Sequence, residues 1–355
     1  MLSSFASIAL LGAAVSAAPA PFTFPLPNGF PDIKVPSPAL LAIEEQAHGT
    51  LPNAPLLKTL SPTDILNWQV VAFNEIFEVG YFTSLYEKIS GGTPGYEVGT
   101  AAEKKYALEA IDAIIGQEEL HALGANAIIA TAGGTPIEPC KYVFPDTDYE
   151  SAIDFARTFT DLVVGTLQAV QFSHAVEGDE EYIPLIGSVI GQESEQIGFF
   201  RQGLGVIPSE LPFLTGSAGV FAYSALNQLV VVPDSCPNSD IITQSVPILG
   251  ALTLETPVPI APKDQNLAFS FESDASYSAD FSLVYINQQN LPIVEKPLNV
   301  KEANGVVSFE AALPYTEYIM NGLTIAAVTS TAGPFATPDD VAAVALYGPA
   351  LIEIN

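Results

Sequence analysis

The tetrapeptide Ile115-Gly116-Gln117-Glu118 recurs unchanged as Ile190-Gly191-Gln192-Glu193. No other feature of the chain constrains its fold as strongly. Three positions past the glutamate, the first copy carries His121 and the second Gln196. Residues three apart on a helix share a face, so Glu118 and His121 point the same way. Apolar residues keep helical spacing around both copies: Ile111, Ile115, Ala122, Ala125 and Ile128 in one, Ile186, Val189, Phe200 and Leu204 in the other. The carboxylates and the imidazole therefore face the apolar side, where an unpaired carboxylate is costly. Each other, water or a metal must compensate them. A four-helix bundle with Glu-x-x-His on two helices and a single carboxylate on the other two can hold two metal ions. Here the first copy is intact and the second has lost its imidazole.

Four helices of suitable length can be read around the repeat. The first starts at the N-cap Ser61, with Pro62 at the first helical position and Asp64 completing a capping-box-like pattern. It runs to about Ile89, where Gly91-Gly92-Thr93-Pro94-Gly95 stops it, and sets Glu75 and Glu78 on an apolar stripe with Val71, Phe82 and Leu85. The second spans about 101–132. A long loop with Cys140 leads to the third, about 150–176, and an acidic turn, Glu177 to Glu181, to the fourth, about 183–203. That turn reads as a solvated loop, since its spacing matches no calcium-loop pattern. His48 and His174 read as ordinary, partly exposed histidines. Four helices with one longer central connection describe an antiparallel bundle over residues 61–205.

Flanking regions read differently. Phe5 to Val15 is an apolar run of signal-peptide length, followed by the small residues Val15-Ser16-Ala17-Ala18. Residues 1–18 are accordingly expected to be a cleaved leader and the mature protein to be secreted, in the extracellular space or cell wall. Residues 19–60 are proline-rich and expected to be extended, with a short helical piece near 40–47. Residues 206–355 carry short β-branched and aromatic runs between Pro, Gly, Asn and Asp turns, at 229–232, 267–271, 281–286, 305–311 and 323–329. They read as a β-rich, sandwich-like domain, with a fifth helix at 217–228 as the alternative to a strand there. The fold class is thus α+β. The last 150 residues contain no histidine, which excludes a His-based nucleophilic triad confined to them.

Charge narrows the function. With 40 acidic and 11 basic residues the formal net charge is -29, which argues against nucleic-acid partners and against anionic membrane surfaces. No run beyond the leader is apolar enough for a membrane span. The two cysteines, Cys140 and Cys236, suit one disulfide in an oxidising compartment.

Pairing Val70-Val71 with Val163-Val164 sets Glu75 against Gln168 and Glu78 against Gln171. On that alignment the second half has exchanged Glu and His for Gln, a neutral and weak ligand. The arrangement resembles the ferritin-like superfamily. More specifically it is similar to fungal secreted ferritin-like proteins of the stress-response or late-sexual-development type, with plant desiccation-related proteins further off. The resemblance rests on Asn74-Glu75-Ile76-Phe77-Glu78, on Glu118-x-x-His121, on Gln192-Glu193, and on the extension entered through Val232-Pro233-Asp234-Ser235-Cys236-Pro237. It implies Glu75, Glu118 and His121 as ligands of one metal, and a third-helix acid, Glu193 and a fourth-helix His for another. Gln168 and Gln196 depart from that pattern, and Asp161 lies almost two turns before Gln168 as a substitute acid.

Two functional readings stay open. In one, the bundle is a scaffold with a stress- or development-related extracellular role, and Glu118 with His121 is a residual ion pair. In the other, the chain is a mono- or di-metal oxidase or peroxide-handling enzyme. Glu75, Glu118, His121 and Glu193 form the main ligand set for one Fe, Mn or Zn ion, with Glu78, Asp161, Gln168 and Gln196 as weaker candidates; no ion at all is the alternative. The Gln exchanges favour the non-enzymatic reading. The partner expected for the β-rich part is a cell-wall or extracellular surface, and the oligomeric state is not legible.

Overall fold

A computed structural model describes residues 20–273 and 280–355. The expected leader, 1–18, lies outside them. Helix α1 (Pro38–Gln46) precedes the four long helices: α2 (Pro62–Ser90), α3 (Ala101–Thr131), α4 (Tyr149–Glu177) and α5 (Ile183–Gly203). Caps fix their starts. Ser61 Oγ accepts from Asp64 N, and Thr100 and Asp148 each form a reciprocal box with the third helical residue. The pattern at Ser61 is not reciprocal. Ser61 N donates to Asp179 Oδ2 at 2.9 Å, and the Asp64 carboxylate turns elsewhere. Helix α2 pairs with α3, α4 with α5, and α2 with α4. Between α3 and α5, Gln192 Nε2 donates to Gln117 Oε1 at 2.8 Å, so the two copies of the repeat touch through equivalent residues.

The repeated glycine is used in one copy only. A Cβ on Gly116 would stand 2.7 Å from the backbone nitrogen of Ala47, where α1 crosses α3, whereas one on Gly191 would meet nothing within 4 Å. The proline-rich segment wraps the bundle. Phe22 and Tyr142 exchange backbone hydrogen bonds, Phe30 is buried, and Asn28 Nδ2 donates to both carboxylate oxygens of the buried Glu119.

Residues 206–252 are not strands. They hold α6 (Gly219–Leu229) and α7 (Asp240–Thr243), which realises the alternative reading at 217–228. The run 229–232 makes only an isolated bridge, Val231 to Tyr142. Tyr223 and Leu226 of α6 enter the bundle core, and helical burial there overrides the β-branched residues that follow.

From 253 onward the chain forms two antiparallel four-stranded sheets. One has order β1 (Thr253–Leu254), β2 (Gln265–Glu272), β6 (Val306–Leu313), β5 (Leu298–Ala303). The other has order β4 (Ile293–Glu295), β3 (Ser282–Asn287), β7 (Gly322–Thr329), β8 (Ala345–Ile354). Phe269, Phe271 and Phe309 of the first pack on Tyr285, Val328 and Ile352 of the second. β2 and β6 alternate buried and open positions, as a sheet with one wet face must. β3 and β7 are buried throughout, because their outer face packs on Phe221, Ala222 and Ala225 of α6 and Leu162 of α4. Helix α6 is thus shared by the bundle and the sandwich. β5 is an exposed edge with a register shift and carries Lys301, features that discourage edge-to-edge pairing.

Two further contacts fix this junction. A Cβ on Gly165 of α4 would fall 2.4 Å from Thr215 O, and Ser217 N donates to Gly165 O. Gly165→Ala is therefore expected to lower stability by about 1–3 kcal/mol, read as a shifted denaturant midpoint. An unchanged midpoint would show that the 215–217 backbone yields freely. Cys140 and Cys236 form a disulfide between the α3–α4 loop and the segment after α6. No helix among the described residues is long and apolar enough to cross a membrane.

Candidate metal centre

Three helices bring their carboxylates together in mid-bundle. Glu75 and Glu78 come from α2, Glu118 and His121 from α3, and Glu193 and Gln196 from α5. One ligand atom from each of Glu75, Glu118, His121 and Glu193 lies within 4.8 Å of the others. The four carboxylates are almost fully buried, at 0–1 % exposure. His121 Nδ1 stands 2.9 Å from Glu118 Oε2 and 3.4 Å from Glu75 Oε2. Gln196 Nε2 donates to Glu118 Oε1, and Asn74 Nδ2 donates to Glu78 Oε1 at 3.1 Å. Glutamine in the second copy thus donates to a carboxylate of the first.

Partners run out there. Both oxygens of Glu75, both of Glu193, one of Glu78 and Oε1 of Gln196 are buried with no hydrogen-bond partner. Four buried carboxylates around one imidazole carry more negative charge than the imidazolium can offset, and buried charges are paired or coordinate metals. The chemistry of the donors therefore fits a divalent cation: three carboxylates and an imidazole suit Fe, Mn or Zn.

Without a cation, protons must do the work. Burial foremost, with the neighbouring carboxylates adding, pushes Glu78 and Glu193 well above the usual carboxylate range; burial also lifts Glu75 up to about 7, against the opposing hydrogen bond and charge of His121. Glu118 goes the other way. Burial raises it, but the charge and hydrogen bond of His121 and the bond from Gln196 outweigh burial and hold it low. His121 is correspondingly raised, burial notwithstanding, by Glu118 and Glu75. Native Glu75 keeps a proton that the unfolded chain loses near 4.5, so folding is favoured at low pH and weakens as pH rises from about 4.5 through 7. The His121 contribution is likewise lost with rising pH. The chelated protein should then melt lower at pH 8 than at pH 5.5, by about 5 °C or more. A flat or rising melting temperature over that window would contradict this balance.

The weaker candidates divide. Glu78 and Gln196 join the centre. Gln168 does not: its Oε1 accepts from Gln289 Nε2 of the sandwich at 2.8 Å. Asp161 is also elsewhere, in a second cluster with Glu210 and Glu353 beside Arg157 and Arg201. Beside Glu75 the wall from α4 is Val163, Thr166 and Leu167, so α4 supplies no acid at that level. The Val-Val alignment missed this because the residues facing Glu75 lie just before Gln168.

His174 corrects the reading of an ordinary, partly exposed histidine. It is fully buried between Trp68 and Tyr182, with Nδ1 3.3 Å from Asp64 Oδ2. Burial lowers its pKa against the opposing charges of Asp64 and Asp179. Its signal was its place on the stripe Val163, Leu167, Val170, His174, the inward face of α4.

An antiparallel helical bundle with a carboxylate and imidazole cluster on its inner faces defines the ferritin-like class. Residues 66–206 match the ferritin-like domain family, a span that opens within α2 and closes just past the end of α5. No curated protein matches the chain.

Proposed function

We propose that this is a secreted ferritin-like protein whose bundle holds a single Fe, Mn or Zn ion through Glu75, Glu118, His121 and Glu193. The observation that carries this is the set of buried carboxylate oxygens without a hydrogen-bond partner on Glu75 and Glu193, beside the Glu118–His121 pair. A bound ion would supply Lewis-acid or one-electron chemistry. Glu118 and His121 orient each other, and Gln196 holds the second oxygen of Glu118.

Two-metal oxidase or peroxide chemistry needs a second donor set. Gln196 replaces its imidazole and the α4 wall lacks its carboxylate. A non-catalytic, stress- or development-related extracellular role, as the family resemblance implies, fits this reduced centre. The disulfide, the acidic composition and the absence of a membrane-crossing helix among the described residues are compatible with secretion. The sandwich, outside the matched domain, is the part available for a cell-wall or extracellular partner.

Elemental analysis of the wild-type chain and of Glu193→Gln, each incubated with Fe, Mn or Zn, tests the stoichiometry. The wild type should carry one equivalent more than the variant. A difference of two would restore a two-metal centre, and no difference would return the bundle to a pure scaffold.

A further inference from the structure

The non-reciprocal cap at Ser61 frees Asp64 for another partner. Its carboxylate points into the end of the bundle, where one ligand atom each from Asp64, His174 and Asp179 lies within 4.8 Å of the others. Asp64 and His174 are both 0 % exposed. Asp64 Oδ1 is fixed by Ser173 Oγ at 2.7 Å and Asn67 Nδ2 at 3.2 Å. Asp64 Oδ2, which faces His174 Nδ1, has no hydrogen-bond partner, and neither ring nitrogen of His174 has one. A buried imidazole normally finds at least one partner.

Asp179 is built into the same place. Gly178, at φ 88°, ends α4 in a left-handed turn, and Gly178 N and Asp179 N both return to His174 O. This tucks Asp179 under the helix end, and Ser61 N anchors one of its oxygens. The acidic turn is therefore not wholly a solvated loop.

We propose that Asp64, His174 and Asp179 form a second divalent-metal site, for a zinc-like first-row ion, separate from the bundle centre. Two carboxylates and one neutral imidazole balance a dication and leave a position for water, and carboxylate oxygens and imidazole nitrogens are both Zn²⁺ ligands. Bonds of about 2.0 Å at tetrahedral angles place neighbouring donors about 3.3 Å apart. The Asp64–His174 separation of 3.3 Å meets that requirement without making a hydrogen bond. Ser173 and Asn67 hold Asp64 from behind, as outer partners of metal ligands do. An ion here would tie the start of α2 to the end of α4. Asp64 precedes Glu75 by eleven positions on α2, about 16 Å along the axis, so the two sites are distinct.

The chain's one tryptophan reports on this site, since the Trp68 ring centroid lies 5.7 Å from that of His174. The test is a Co²⁺ titration of the full-length His121→Ala variant, in which the bundle centre is weakened, read by tryptophan fluorescence. Near one equivalent should quench more than half the emission, and added Zn²⁺ should restore it. Adding His174→Gln should abolish the quenching. Adding Asp179→Asn, at the partly exposed turn, should shift its midpoint at least about tenfold and decides the matter where His174→Gln does not fold by circular dichroism. No quenching at millimolar Co²⁺ in the His121→Ala background overturns the proposal, as does a midpoint indifferent to Asp179→Asn. Neither result bears on the bundle centre.

Discussion

His121→Ala should weaken metal binding at the bundle centre by at least about 100-fold. Loss of an outer-sphere partner alone typically costs 10–100-fold, and His121 is both the sole nitrogen donor of the cluster and the partner of Glu118. Without the imidazole, four buried carboxylates face one another with only amide donors from Gln196 and Asn74. The variant should fold by taking up protons. Its helix content should match the wild type at pH 5.5, and its melting temperature should fall more steeply toward pH 8. Metal titration by calorimetry at pH 7, with circular dichroism on the same samples, separates the two effects. Unchanged affinity in a folded variant would mean that the carboxylates bind an ion without the imidazole, a calcium-like rather than iron-like preference.

Much of this centre could be read from sequence because its chemistry is local. Glu118 and His121 lie one turn apart, the repeat marks Glu193, and the stripe through Val71, Phe82 and Leu85 marks Glu75 and Glu78 as inward-facing. Helix starts at Ser61 and Thr100 are set by capping chemistry within three residues. What escaped depends on contacts distant in sequence. Asp161 has helical neighbours that would place it in the core, yet its partners Glu210 and Glu353 lie 49 and 192 residues onward. The burial of His174 depends on Trp68, Tyr182 and Asp64, on three different segments. In the sandwich, β3 and β7 lack polar alternation because both faces are covered, and β8 contains Pro349, which ordinarily argues against a strand and is admitted here at a sheet edge. Helix α6 sits between bundle and sheet, so its burial follows from their packing and not from its own short sequence.

The Cys140→Ser/Cys236→Ser double variant should lose about 4 kcal/mol of stability, or about 5 °C in melting temperature for a chain of this length. The bridge spans a sequence separation of 96 and closes a loop containing α4, α5 and α6. Closing a loop of that length removes much of the freedom of the unfolded chain, and that is where most of the effect is expected to arise. The native state has independent reasons to keep the two segments together. Val143 N donates to Val230 O, Val232 N to Lys141 O, and Lys141 N to Ser235 Oγ, while Phe22 bonds across Tyr142. The variant should therefore keep its far-ultraviolet spectrum and refold reversibly, with only the unfolding transition displaced. Reduction of the wild-type protein should reproduce the shift. An unchanged transition would mean that the two ends of this loop do not separate on unfolding. The ladder through Tyr142 would then outlast the rest of the bundle it borders.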